Sequence, residues 1–125
     1  MKTIDTLGVL ALHNLLVEKT RGGDGIREQG LLDSAVYSPY QTFGDIELYP
    51  TLIEKGARLG YALVSNHAFI DGNKRIGLLA MLTFFKLNGI TLEFTNDELI
   101  SLGLSLAQGE TDYDGLCAWL ERHQK

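Results

Sequence analysis

The chain has 125 residues, 45% of them hydrophobic, and no low-complexity tract, so it suits one compact domain over residues 1–125 rather than a disordered segment. Lys and Arg number 11 against 16 Asp and Glu, and the formal net charge of −5 argues against nonspecific nucleic-acid binding, which needs many cations against phosphates. A single cysteine, Cys117, and three histidines far apart in sequence (His13, His67, His123) exclude an internal disulfide and a zinc-type cluster and fit a reducing cytoplasm, while Met1–Asp5 opens no long apolar signal region and no apolar run is long enough for a membrane span.

Thr3 or Asp5 can cap a first helix running to about Lys19, with Leu7, Leu10, Ala11, Leu15 and Leu16 at helical spacing. Thr20 to Gly25, rich in glycine, stops it and makes a loop. Leu31, Leu32, Ala35 and Val36 predict a short second helix. From Ser38 to Pro50 the pattern changes. Pro39, Gly44 and Pro50 punctuate it, and Thr42, Phe43, Ile46, Leu48 and Tyr49 favour extended backbone, which predicts a hairpin-like flap. Thr51 with Glu54 forms a capping box that opens a third helix. A loop over His67–Gly72 follows, then the most apolar helix, about Asn73 to Leu87, closed by Asn88-Gly89. Ile90 to Phe94 reads as briefly extended. Thr95 and Glu98 open a fifth helix to about Ala107, and Thr111 or Asp112 caps a last one bearing Leu116, Trp119 and Leu120. The sum is an all-α domain of about six helices around a buried central helix, with a short flap before the loop.

That loop carries the chemistry. A helix N-terminus offers unpaired N–H groups and a partial positive charge, a ready anion site. Gly72 lets backbone come close to a phosphate or take a positive φ. Lys74 and Arg75 in the first turn oppose the helix dipole, a small cost that an arriving anion relieves. Asp71 is a hard oxygen ligand suited to Mg²⁺ held with phosphates. His67 titrates near neutrality and can take a proton from an attacking hydroxyl. Phe69 reads as the buried anchor of the loop. Each residue also has a plainer reading alone: a loop histidine, a cap at Asp71, a turn glycine, an Asn73 bonded to local backbone, a solvated Lys74-Arg75 pair. The functional case rests on the constellation.

His67-x-Phe69-x-Asp71-Gly72-Asn73-x-Arg75 resembles the Fic motif. Six fixed positions at ~5% usage each arise by chance on the order of 10⁻⁸ per start site. Gly25-Ile26-Arg27-Glu28-x-Gly30-Leu31-Leu32, then Thr42-Phe43-Gly44, then Leu48-Tyr49-Pro50-Thr51 are similar to the death-on-curing (Doc) branch of the Fic/Doc superfamily. The resemblance implies a helical Fic fold and ATP with Mg²⁺ as cofactors. It implies His67 as general base, Asp71 as the metal-holding residue, and Asn73 and Arg75 on the ATP phosphates, with Gly72 and Lys74 beside them. Most Fic enzymes transfer AMP. Here the second glycine of the usual motif is Lys74, and its second arginine is Leu78, both similar to Doc. In that branch ATP is held the other way round, which implies transfer of the γ-phosphate to a Ser or Thr hydroxyl, with elongation factor Tu as target and translation arrest as outcome. The chain has no Glu-Gly or Glu-Asn dipeptide, so the inhibitory helix of many Fic enzymes has no match. Restraint would come from another chain, a Phd-like antitoxin, a segment that orders as a helix in a groove. AMP transfer and a catalytically silent binding module are the alternatives. No P-loop pattern occurs.

Other residues read as structural. His13 sits at the edge of a helix, Cys117 and Trp119 read as core, and His123 lies where a helix C-terminus mildly favours a cation. Arg27 reads as reaching the site or fixing the loop after the first helix, the structural role being favoured. Thr42 to Ile46 fits either strand addition by a target segment or a plain surface hairpin.

Overall fold

The computed structural model describes residues 1–20 and 25–125, without the side chains at 18–20. Six helices run α1 (Thr6–Thr20), α2 (Gln29–Tyr37), α3 (Leu52–Asn66), α4 (Asn73–Leu87), α5 (Asn96–Ala107) and α6 (Tyr113–His123). Two short strands, β1 (Thr42–Phe43) and β2 (Ile46–Glu47), pair antiparallel as the expected hairpin, and a 3₁₀ turn at Ser38–Tyr40 shortens the extended stretch before it. The loop expected over Thr20–Gly25 lies, except at its two ends, outside the described residues.

The helix starts follow from their caps. Thr51 Oγ1 accepts from Glu54 N at 3.1 Å while Glu54 Oε1 accepts from Thr51 N at 3.2 Å, so two first-turn donors are satisfied reciprocally. Thr95 and Glu98 repeat the arrangement at α5. Asp5 caps α1 through Gly8 N at 2.8 Å, and Asp112 caps α6 through Gly115 N at 2.8 Å. At the other end of the central helix Gly89 takes φ +76°, a left-handed stop open to glycine.

α3 and α4 form the centre. They approach closely because glycines leave room where they cross. A β-carbon on Gly77 would meet the Gly60 carbonyl oxygen at 2.9 Å, and one on Gly60 would meet Met81 at 3.0 Å. The core around this contact includes Leu59, Leu63, Ile76, Met81, Phe84 and Phe85. α1, α2, α5 and α6 pack around the pair. Ile90–Phe94 is extended only enough for Leu92 to bridge Gln124.

α1 is apolar nearly all round, so periodicity does not choose its inner side. Leu7, Ala11 and Leu15 face solvent, whereas Val9 and His13 are buried. Cys117 and Trp119 are half-buried at the margin of the core. No helix among the described residues is long and apolar enough to cross a membrane.

Candidate active site

The segment between α3 and α4 is held from four directions. α3 ends at His67, which takes φ +52°, the one non-glycine with positive φ among the described residues. That conformation costs on the order of 1 kcal/mol, so its surroundings must enforce it. Arg27 Nε donates to the His67 carbonyl at 2.8 Å. Arg27 N donates to the Ala68 carbonyl at 2.7 Å, and Ile70 N to the Gly25 carbonyl at 3.3 Å, so residues 25–27 lie along the loop as a one-bridge ladder between Ile26 and Phe69. Asn73 closes the loop from below. Its Oδ1 accepts from Phe69 N at 3.0 Å, and its Nδ2 donates to the Phe69 carbonyl at 2.9 Å. Phe69 itself is buried, with its ring stacked on His13 at 3.8 Å. His67, Ile70 and Asp71 are left exposed.

The central helix starts at Gly72, whose φ of +81° and lack of a side chain leave no cap hydrogen bond there. The N–H groups of Asn73, Lys74 and Arg75 therefore have no intrahelical carbonyl and no capping side chain. Asp71 does not serve as that cap. Its Oδ1 accepts from Gly72 N at 2.8 Å, one residue too early to satisfy the first turn, and the second carboxylate oxygen has no hydrogen bond among the described residues. Among the described residues neither Lys74 nor Arg75 forms an ion pair. The positive end of α4 thus carries two cations that no carboxylate among the described residues pairs.

A cavity of about 840 Å³ opens at this point, lined by Asp71, Gly72, Asn73, Lys74 and Arg75 at one end and by leucines of α1, α4 and α5 beyond. Its size suits a nucleotide-sized ligand. Lys74 enters the cavity with its stem against α5, where a β-carbon on Gly103 would stand 3.4 Å from its Cγ and Cδ. Leu78, in place of the second arginine of the longer motif, lines the apolar part. No group of three or more His, Cys, Asp or Glu converges among the described residues. The described residues thus offer no cluster that would hold a cation by protein groups alone. Mg²⁺ shared between the Asp71 carboxylate, phosphate oxygens and water does fit, because that ion keeps water ligands and uses one or two carboxylates.

The cavity brings together Asp71, Gly72, Asn73, Lys74 and Arg75, while His67 lies outside its lining, exposed at the far end of the loop. Arg27 fixes a loop, but the one between α3 and α4, through His67 and Ala68, and not the one after the first helix. Asn73 has its side chain turned to the loop, and its backbone N–H is the part left for an anion. His13 was missed. It is buried at 2% exposure, and its Nε2–H donates to the Asp71 carbonyl at 2.9 Å, 58 residues away in sequence. No local pattern announces such a contact. The available signal was one polar residue at the middle of an otherwise apolar helix face.

Residues 3–85 match the family model described as the Fic/DOC family. The chain is 39% identical over 97 residues to Toxin Doc of Mycolicibacterium smegmatis, covering 76% of this chain and 75% of that protein. It is 29% identical over 122 residues to Protein kinase doc of Escherichia phage P1, covering 98% of this chain and 95% of that one. With the motif at the head of a buried helix and the match extending over most of the chain, this protein belongs to the Fic/DOC family.

Proposed function

We propose that this chain is a Doc-like toxin that transfers the γ-phosphate of ATP to a Ser or Thr hydroxyl of a translation protein. The observation that carries the reading is the uncapped N-terminus of α4, where Lys74 and Arg75 have no ion-pair partner among the described residues, opening on a nucleotide-sized cavity beside the Asp71 carboxylate. The names of the two relatives, one a toxin and one a protein kinase, support the same reading.

In this scheme the N–H groups of residues 73–75, Lys74 and Arg75 bind the phosphates and neutralise charge as it builds on the transferring group. Gly72 keeps the approach open. Asp71 would hold Mg²⁺, which would supply positive charge to offset that of the phosphates. His67 takes the proton of the target hydroxyl. A bond forms between the hydroxyl oxygen and the γ-phosphorus, the bond from that phosphorus to the bridging oxygen breaks, and ADP leaves. The γ end is chosen by Lys74, whose stem fills the α5 side of the cavity next to the helix N-terminus. Elongation factor Tu is the expected target, and a Phd-like antitoxin the expected restraint. The chain acts in the cytoplasm as one domain.

The test is incubation of the purified chain with a bacterial translation extract and ATP labelled at either the γ- or the α-phosphate, beside Asp71→Ala and His67→Ala. Protein-bound γ-label that both substitutions remove is expected, and the labelled band names the target. Bound α-label would instead make the chain an AMP transferase. ATP binding with no label of either kind would make it a silent nucleotide-binding module.

A further inference from the structure

We propose that His13 is a positioning residue that orients the Asp71 carboxylate through the rigid 71–72 peptide. The inference rests on the reading of Asp71 given above. A carbonyl oxygen can only accept, so His13 Nε2 bears a proton and donates it to the Asp71 carbonyl at 2.9 Å. The amide that follows is trans and planar. Its carbonyl and its N–H therefore point in opposite directions within one plane. The carbonyl side is gripped by His13. The N–H side, belonging to Gly72, donates to Asp71 Oδ1 at 2.8 Å. A hydrogen bond at one edge of the plate thus sets the angle of the hydrogen bond at the other. One carboxylate oxygen is pinned, and the other is presented outward.

The device is needed because Gly72 is a glycine. With φ at +81° and no β-carbon, it tolerates either sign of φ, so the 71–72 peptide could turn over at little cost. Turning it over would withdraw the N–H from the carboxylate and remove it from the array at the head of α4. The His13 ring opposes this twice. Its Nε2–H holds the carbonyl, and its edge stands 3.7 Å from the place a Gly72 β-carbon would occupy, filling the space behind the plate. The ring is itself immobilised by burial and by stacking on Phe69 at an interplanar angle of 12°. Partners that orient a metal-binding carboxylate or imidazole from behind have large effects on affinity without touching the ion.

A core histidine that merely satisfies a carbonyl would make activity follow stability. The positioning role separates the two. The full-length chain is compared with His13→Gln, which puts an amide N–H where Nε2 stands but loses the ring, with His13→Asn, which loses the ring and falls short of Nε2, and with His13→Phe, which keeps the stack and loses the donor. The readouts are Tm and the Mg²⁺ concentration for half-maximal label transfer to protein from ATP. The expected result is that Gln lowers Tm yet stays near the wild-type Mg²⁺ midpoint, while Phe holds Tm and raises the midpoint about tenfold, the usual size of such effects. Asn lowers Tm and raises the midpoint as well. Equal midpoints in Gln and Asn, or a midpoint that follows Tm across all three, would overturn the proposal, and the Gln–Asn pair decides it even where Phe fails to fold. A wild-type chain that transfers no label would sink the functional reading itself, a separate outcome visible before any variant is made.

Discussion

Two irregular segments flank α3, and they are built in opposite ways. The loop after it, residues 67–72, is tied by Arg27, His13 and Asn73 and anchored by Phe69, which is 1% exposed. The hairpin before it, residues 42–47, shows Phe43 and Ile46 at 80% and 70% exposure. Its root is tied to the body by the ammonium of Lys55, a buried α3 residue that bonds Glu47 at 3.0 Å and the Tyr49 carbonyl, and by the Tyr49 ring against Tyr113 and Arg58. Lys55 and Asn66 are separated by roughly 16 Å of helix at 1.5 Å per residue, so the root of the hairpin lies at the end of α3 away from the motif. The difference has a physical sense. A phosphate site works by dipoles fixed in advance, which demands many ties. A surface that meets a protein can leave apolar side chains in water until a partner covers them.

The sharpest way to break this contrast is to remove the anchor of the rigid segment. Phe69→Ala is expected to lower unfolding free energy by about 3–5 kcal/mol, the range for emptying a buried aromatic position, and to abolish label transfer. Denaturant titration and the labelling assay measure the two effects. Asn73→Ala should cost about 1–3 kcal/mol, because it strands the amide groups of Phe69. Transfer should fall about a hundredfold, the cost of a loop displaced by ~1 Å. A variant that unfolds more easily but transfers at the wild-type rate would show that the loop needs no fixed geometry.

Where the sequence was legible, the causes were local. Thr51/Glu54 and Thr95/Glu98 lie three residues apart, and both boxes form as expected. The apolar run closed by Asn88-Gly89 places α4 over Asn73–Leu87 as expected. The motif residues stood out by spacing, and four of the six fixed positions, Asp71, Gly72, Asn73 and Arg75, come to line one cavity together with Lys74. What stayed hidden depends on distant partners. The Asp71 tie to His13, the stem of Lys74 against Gly103, and the inner face of α1 are set by how helices pack, and periodicity carries no record of that. Asn73 shows the limit within the motif. Its type suggests a phosphate ligand as readily as a loop clasp, and only the contact to Phe69 shows where its side chain is spent.

The hairpin offers the next test of the contrast. Lys55→Met keeps the buried stem and removes the clamp, at a cost of about 1–2 kcal/mol. Phe43→Ser leaves the clamp and removes an exposed ring, with stability unchanged within ~0.5 kcal/mol. If the exposed hairpin receives the protein target, each raises KM for that target by about five- to tenfold, equivalent to ~1 kcal/mol of lost contact. KM for ATP stays as in the wild type. Unchanged KM for the protein in both variants would reduce Thr42–Glu47 to a plain surface hairpin.

The smallest effect is expected where α5 meets α6, in a contact that solvent screens. His123 Nε2 lies 2.7 Å from Glu98 Oε2, and its ring stacks on Trp119 at 3.9 Å. The bond to His123 holds the Glu98 carboxyl below its ordinary 4.5, and the bond to Glu98 raises His123 above its ordinary 6.5. A raised histidine adds stability that is full below 6.5 and is lost as pH rises through the raised value. A lowered carboxylate adds stability that is full above 4.5 and is lost as pH falls through the lowered value. The two contributions overlap between 4.5 and 6.5. The Tm of the wild type should therefore exceed that of His123→Gln most within this window, with the gap narrowing toward about pH 8 and in high salt. Label transfer measured at one pH should be the same in both proteins, because this contact ties neither the loop nor the hairpin. A gap in Tm that stays flat from acid to alkaline pH would mean that stacking on Trp119, and not the ion pair, is what His123 contributes.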